Sequence, residues 1–306
     1  FMSSSIKEKL AQYYLHFRKD ANLRVFNKAM SKKVEKELLD FILNEQLNNQ
    51  DDYFSYKLEG NKIVSLVFSR KMNDYGEHTL PTEMVIQDSC ITKSMIEEEI
   101  IKIKLFYKNN YKYTKIVFPA RSTQNKLIQL YNELSFSFTG NTYLGQVRDA
   151  LKYYSNKNLL YPEGIILRAG IKNDLTEILE LAKICHSADK TSRMNKDISS
   201  FLKVISGFYK NSIKDKSLFL ITNKTGIIGY IMVVLNKDSN TLIGDIGVHP
   251  NYWGNGFANI LYNKAFQFMK SKKIKTYLGT TSTKSVMNLS KKLNRKSFLS
   301  VYYIDV

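Results

Sequence analysis

The sequence predicts an α/β protein of two tandem domains, each a twisted mixed β-sheet flanked by helices. Three observations carry that expectation. A chain of 306 residues is long enough for two ordinary domains. Strand-like alternation and helix-like spacing follow one another through most of it. The same order of features occurs twice, about 160 residues apart.

In the first half, YFSYKLEGNKIVSLVFS (53–69) reads as a strand, a turn at Glu59-Gly60-Asn61 and a second strand. EMVIQDSCI (83–91) reads as a strand, SMIEEEIIKIKLFYKNN (94–110) as an amphipathic helix, TKIVFPA (114–120) as a strand and QNKLIQLYNEL (124–134) as a short helix. The second half repeats this order in LFLITNKTGIIGYIMVV (218–234), LIGDIGV (242–248), GFANILYNKAFQFMKSKK (256–273), KTYLGTT (275–281) and SVMNLSKKL (285–293), closed by a strand FLSVYYIDV (298–306). Strands alternating with helices require crossover connections. The join is placed in KYYSNKNLLYPEG (152–164), where polar residues, Pro162 and Gly164 end the first unit. Domains are therefore expected at 1–150 and 165–306, with a linker at 151–164. IILRAGIKNDLTEILELAKI (165–184) opens the second unit as a strand and a helix, with Asn173 or Asp174 as N-cap.

Composition narrows the function classes. Hydrophobic residues at 43% and aromatics at 12% support packed cores. No apolar stretch of about 18 residues is present, so no membrane span is expected. The cysteines, Cys90 and Cys185, lie far apart without metal-ligand spacing, which argues against a disulfide framework or a zinc site. No metal is expected, and a reducing, cytoplasmic compartment is. Residues Phe1 to Ser5 lack the charged start and apolar run of a signal peptide. The charge balance, 46 − 28 = +18, would attract anionic partners. It is spread without a basic block or an RNA-binding aromatic signature, so a solvated lysine surface is expected rather than a nucleic-acid site.

The stretch HPNYWGNGFANILY (249–262) carries the chemistry. Gly254-Asn255-Gly256 follows a strand ending at Val248 and opens a helix whose apolar residues Phe257, Ile260, Leu261, Ala265 and Phe268 recur at helical spacing. A helix start presents unpaired N–H groups and a positive dipole end to an anion. Glycine lets that backbone approach a phosphate closely. The full GxGxxG spacing and the Walker lysine-serine pair are both absent, which argues against NAD and ATP.

VHPNYWGNGFA (248–258) resembles the acetyl-CoA signature of the GNAT superfamily of N-acetyltransferases, in which a strand ending Val-x-Pro leads to Gln/Arg-x-x-Gly-x-Gly/Ala. Gly256 and Ala258 match the last two positions, and Trp253 stands where Gln or Arg is commonest. The resemblance covers about 165–306. It implies tandem GNAT-like domains with acetyl-CoA (coenzyme A) as cofactor. Backbone groups of Trp253, Gly254, Asn255, Gly256, Phe257 and Ala258 would bind its pyrophosphate. Ile246 and Val248 would pair with the pantetheine arm, Thr283 would add a contact, and the Val248 N–H would polarise the thioester carbonyl. The implied reaction is acetyl transfer to a primary amine of a small molecule or a protein. Removing the amine's proton calls for a base, for which Asp245 and His249 are the candidates, with His186 behind them.

In the family's acid segment, Asn-x-x-Ala-x-x-Leu-Tyr-x-Lys-Leu-Gly-Phe, the stretch TKSVMNLSKKLNR (283–295) places Ser290 in the tyrosine position. The leaving thiolate would be protonated by Ser290, by water, or by Tyr262 or Tyr303. In the first half, QNKLIQLYNELSF (124–136) matches the segment, including Tyr131, but the loop QDSCITKSM (87–95) has no glycine. That unit is expected to be a degenerate GNAT domain, with Tyr131 a core or interface residue and Cys90 a buried small residue. Tandem GNAT architecture is shared by self-resistance acetyltransferases, thiol-cofactor synthases and a translocated bacterial effector. The alternative expectation is accordingly a pseudoenzyme or effector, delivered to a host cytosol, that binds a partner protein through its N-terminal domain.

Overall fold

The computed structural model describes residues 4–26, 30–47, 49, 51–74, 77–109, 113–157, 159, 161–189, 198–235 and 241–306. Of the segments named above, Phe1 to Ser3, Asn110, Asn158 and Leu160 lie outside the described residues. In chain order the elements begin α1 (Ser4–Phe26), α2 (Lys32–Asp40), β1 (Tyr53–Glu59), β2 (Lys62–Ser69), β3 (Met72–Asp74), β4 (Glu77–Ile86), α3 (Lys93–Phe106), β5 (Lys115–Arg121) and α4 (Asn125–Glu133). Next come β6 (Ser137–Gln146), α5 (Val147–Ser155), β7 (Ile166–Ala169), α6 (Leu175–Ala188), α7 (Ile198–Lys214), β8 (Leu218–Asn223) and β9 (Gly226–Val234). The chain ends with β10 (Thr241–Val248), α8 (Phe257–Ser271), β11 (Thr276–Thr281), α9 (Lys284–Lys292) and β12 (Lys296–Asp305).

The repeat read from the sequence is present, but the units are not cut where the repeat ends. One compact unit takes residues Phe1–Gly140 with Phe298–Val306, and the other takes Asn141–Ser297. The segment FLSVYYIDV, expected to close the second domain, instead lies antiparallel on β5 in the first unit, with Tyr302 opposite Phe118. Residues 141–146 of β6 lie antiparallel on β11 in the second unit, with Leu144 opposite Leu278. Each unit's sheet is thus completed by a strand from the other half of the sequence. The expected linker at 151–164 also begins inside structure. Helix α5 buries Val147, Ala150 and Tyr154 in the second unit's core, which draws the boundary ahead of it.

In the first unit β2 runs antiparallel to both β1 and β4, and β4 meets β5 in parallel across the crossover helix α3. Ile96 and Ile103 of α3 pack with Leu80, Ile116, Phe118 and Tyr131. Helix α1 sets Leu10, Ala11 and Tyr14 against Leu66, Phe68 and Val85 on the other face. Thr92 caps α3, its hydroxyl accepting the Met95 N–H at 3.2 Å.

The second unit repeats this plan, with β7, β8 and β9 antiparallel and β10 meeting β11 in parallel across α8. Phe257, Ile260, Leu261, Ala265 and Phe266 of α8 bury against Phe219, Ile231, Val233 and Tyr277. Asp174 stands at the start of α6, as the sequence predicts, yet its carboxylate grips Arg168 at 2.6 and 2.8 Å and the Ile171 N–H at 2.8 Å. Those bonds, led by the one from Arg168, hold the Asp174 carboxyl below its ordinary range.

Candidate functional site

The site begins where two parallel strands part. β10 pairs with β11 only from Thr241 opposite Tyr277 to Ile243 opposite Gly279, although both strands run on, β10 to Val248 and β11 to Thr281. A β-bulge falls between Ile243 and Asp245 where β10 runs along β9, and a bulge re-aims the residues that follow it. The His249 N–H donates to the Ile228 carbonyl at 2.9 Å. In an antiparallel ladder such bonding alternates along a strand, so 245 and 247 face β9, while 246 and 248 turn their N–H and C=O groups to the opened side. Two of these groups are taken locally. The Ile246 N–H donates to Asp245 Oδ1 at 2.9 Å, and the Trp253 indole N–H donates to the Val248 carbonyl at 2.7 Å. The Ile246 carbonyl and the Val248 N–H keep no side-chain partner among the described residues.

The loop beyond β10 is shaped by its glycines. Gly254 and Gly256 hold φ angles of 84° and 80°, in the left-handed region that costs a residue with a Cβ roughly 1–2 kcal/mol. A Cβ at either position would meet nothing within 4 Å, so conformation rather than space requires glycine there. Gly256 is the N-cap of α8 and offers no side chain to it. The first intrahelical bonds run from Asn259 and Ile260 to the Gly256 carbonyl, which leaves the N–H groups of Gly256, Phe257 and Ala258 free to meet an anion. Trp253 is half exposed and locks the loop onto β10 through its indole, a use of that side chain not visible in the motif. Beside the helix start lies a pocket of about 280 Å³ whose lining includes Ala258, Asn259, Tyr262, Tyr153, Lys157 and Lys292.

On the opposite face of β10 sits a buried carboxylate. Asp245 Oδ2 accepts the hydroxyl protons of Tyr209 at 2.6 Å and Tyr230 at 2.8 Å, and His186 Nε2 lies 3.4 Å away. The side chains of His186 and Asp245 are 15% and 9% exposed, so the pair is sheltered while the imidazole still reaches solvent. Phe201 of α7 packs edge-on against the His186 ring at 4.6 Å between centroids. Gly247 lets α6 come this close, since a Cβ there would meet Tyr230 at 2.6 Å and Cys185 Sγ at 2.9 Å. Burial alone would raise the Asp245 carboxyl, but the bond and charge of His186 and the two tyrosine hydroxyls outweigh it and hold the carboxyl below its ordinary value. Burial, then the Asp245 charge, pushes the neighbouring Cys185 thiol up to about 12, which makes it inert.

A stability consequence follows for Asp245. A carboxyl whose folded pKa is lowered contributes stability that is complete above its unfolded pKa and lost as pH falls through the folded value. Acid unfolding followed by circular dichroism is expected to steepen below pH ~4, near the unfolded aspartate pKa, and Asp245→Asn should flatten that limb. An unchanged acid limb in the variant would contradict this.

The other expected site residues are placed differently. His249 spends Nδ1 on the Asn251 N–H at 3.3 Å and caps the turn at Pro250–Tyr252. Ser290 is fully buried, its hydroxyl donating to the Val286 carbonyl at 2.9 Å and accepting from Arg295 at 3.3 Å. A serine in mid-helix commonly bonds back to the preceding turn in this way, and here it occupies the proton that an acid would give. Thr283 stands at the N-cap of α9 and donates to Asp189 at 3.3 Å. Tyr262 is a buried residue of α8 and Tyr303 belongs to the other unit. In the first unit Tyr131 is fully buried among Phe118, Phe136 and Tyr302, a core tyrosine as expected. Cys90 is partly exposed rather than buried, with Sγ 3.6 Å from Glu59 Oε1. Among the described residues no helix is long and apolar enough to cross a membrane, and no cluster of His, Cys, Asp or Glu could hold a metal ion.

One family model matches part of the chain. Residues 175–290 match the Acetyltransferase (GNAT) family. No curated relative matches the chain in sequence. In structure it is similar to a GCN5-related N-acetyltransferase from Sphaerobacter thermophilus, with a TM-score of 0.65 and 11% identity over 99% of this chain and 94% of that one. It is similar to a tandem GNAT protein from the clavulanic acid biosynthesis pathway, with a TM-score of 0.55 and 8% identity over 96% and 94% of the two chains. A GCN5-related glucosamine N-acetyltransferase region of a fungal multi-domain GH3 β-N-acetylglucosaminidase gives a TM-score of 0.55 and 10% identity, covering 95% of this chain and 37% of that one. At these identities the likeness is one of fold.

Proposed function

With a GNAT acetyltransferase domain at residues 175–290 as the premise, we propose that the chain is an acetyl-CoA-dependent N-acetyltransferase whose working site lies in its second unit. The observation that carries this reading is the opened edge of β10 running directly into a glycine-shaped helix start. An extended, amide-bearing arm fits the Ile246 carbonyl and Val248 N–H, and a pyrophosphate fits the N–H groups of Gly256, Phe257 and Ala258. The pocket by Tyr153, Lys157 and Lys292 would take the phosphorylated nucleotide end. Bound there, acetyl-CoA supplies the acyl group and a thiolate leaving group.

The chain's own residues have separate tasks. The Val248 N–H holds the thioester carbonyl oxygen where negative charge develops. His186 takes the acceptor amine's proton, its Nε2 set 3.4 Å from Asp245 Oδ2. Asp245 is a positioning residue, held by Tyr209 and Tyr230 so that it orients the imidazole and steadies its charge. His249 and Ser290 keep their turn and helix bonds and take no proton. A coenzyme A thiolate, with an ordinary thiol pKa of roughly 8.5, leaves without a dedicated donor.

The test is acetyl transfer from labelled acetyl-CoA to a panel of small-molecule amines and lysine peptides. Label on an amine in the wild-type reaction, absent without protein, is the expected result. Hydrolysis of acetyl-CoA with no amine labelled across the panel would overturn the acetyltransferase reading.

A further inference from the structure

The two units part their parallel strands at the same step, and only one gap stays open. In the first unit β4 pairs with β5 from Thr79 opposite Lys115 to Pro81 opposite Val117, after which no pair joins them. Here Gln124, the residue before α4, fills the gap. Its amide nitrogen donates to the Met84 carbonyl at 2.8 Å and its amide oxygen accepts the Arg121 N–H at 2.9 Å. A side-chain amide thus joins the two strand ends as a peptide group of an inserted strand would. Gln124 is 5% exposed, so the join is sealed from water.

The residue before Met84 belongs to an ionic cluster. Glu83 accepts from Tyr14 of α1 at 2.6 Å, and Arg121 and Arg18 approach it at 3.5 and 3.9 Å. Glu83 holds the place in β4 that Asp245 holds in β10, each four residues past the first paired position, Thr79 and Thr241. By the same count Met84 corresponds to Ile246.

In the second unit the residue before the matching helix is Thr283. Its hydroxyl sits on Cβ, two bonds nearer the backbone than a glutamine amide nitrogen, and it turns to Asp189. No side chain among the described residues reaches the Ile246 carbonyl.

We infer that this position decides whether a unit's strand gap admits the pantetheine arm of acyl-CoA: glutamine closes the first gap with its own amide, and threonine leaves the second open to the amides of that arm. The inference rests on the acetyl-CoA reading above and adds a specificity-determining residue to it.

The test is Thr283→Gln in the full chain, titrated with acetyl-CoA in a calorimeter beside wild type and Thr283→Val. The valine variant also loses the Asp189 contact but adds no amide. The expected result is binding at least ten-fold weaker in Thr283→Gln than in Thr283→Val, with circular dichroism and Tm of the glutamine variant at or above wild type. Equal affinities of the two variants would overturn the inference. No binding by wild type would instead overturn the cofactor reading itself. Should Thr283→Gln fail to fold, hydrogen exchange in Gln124→Ala decides the point. The Arg121 amide is expected to exchange faster than in wild type, and unchanged protection would contradict closure by Gln124.

Discussion

Replacing Gly256 with glutamate is expected to weaken acetyl-CoA binding at least 100-fold, a loss of about 2.7 kcal/mol. The substitution acts twice. A residue with a Cβ must enter the left-handed region at φ 80°, which shifts the loop and so the N–H groups of the helix start. Its carboxylate then sits where the pyrophosphate would, drawn by the same helix dipole. Gly256→Ala separates the effects, since it carries the strain without the charge and should lose much less. Calorimetric titration of the three proteins provides the check, with thermal melts to show that each is folded. Full affinity in Gly256→Glu would remove the loop from the site.

His186→Gln is expected to lower kcat by roughly 10²–10⁴, the usual size of a lost general base. An amine of pKa near 10.4 is mostly protonated at pH 7, at a cost of roughly 4–5 kcal/mol before it can attack. The deficit should therefore shrink as pH rises and the amine loses its proton unaided, while KM for acetyl-CoA stays near wild type. Asp245→Asn should show the same pH trend together with a stability loss of about 3–5 kcal/mol, because it breaks a buried network of tyrosine and imidazole donors. A structural role for His186 alone would move Tm and leave the pH profile of kcat unchanged. That outcome would return the base to water or to His249.

Much of the geometry proposed for the cofactor was legible in the sequence, because it is local. Two glycines before an apolar stripe predict a turn into a helix, and both adopt the left-handed backbone that makes glycine necessary. The alternation of Ile246 and Val248 with Asp245 and Gly247 fixes which groups face the opened edge. The site proposed for the acceptor was less legible, because it is assembled across the chain. His186 and Asp245 are 59 residues apart, and nothing in CHSADK marks its histidine as facing a strand. Tyr209 was missed altogether. The spacing of Phe201, Ile205, Tyr209 and Ser212, which α7 buries, was the signal that could have found it.

The strand exchange lay beyond sequence reading for a different reason. FLSVYYIDV has the alternation of a strand, and alternation says which face is buried without saying which sheet receives the strand. Ser290 was placed by alignment with a motif, which sets position along a helix, whereas its hydroxyl is claimed by the turn above. The loop at 87–95 holds no glycine, the residue on which the phosphate cradle proposed for the second unit depends. The glutamine that fills its strand gap became visible only once Met84 and Gln124 were placed together.

Titrating the full chain with acetyl-CoA in a calorimeter tests the central claim most directly. One site per chain is predicted, with the heat abolished in Gly256→Glu. Absence of heat in wild type, or two equal sites per chain, would contradict it.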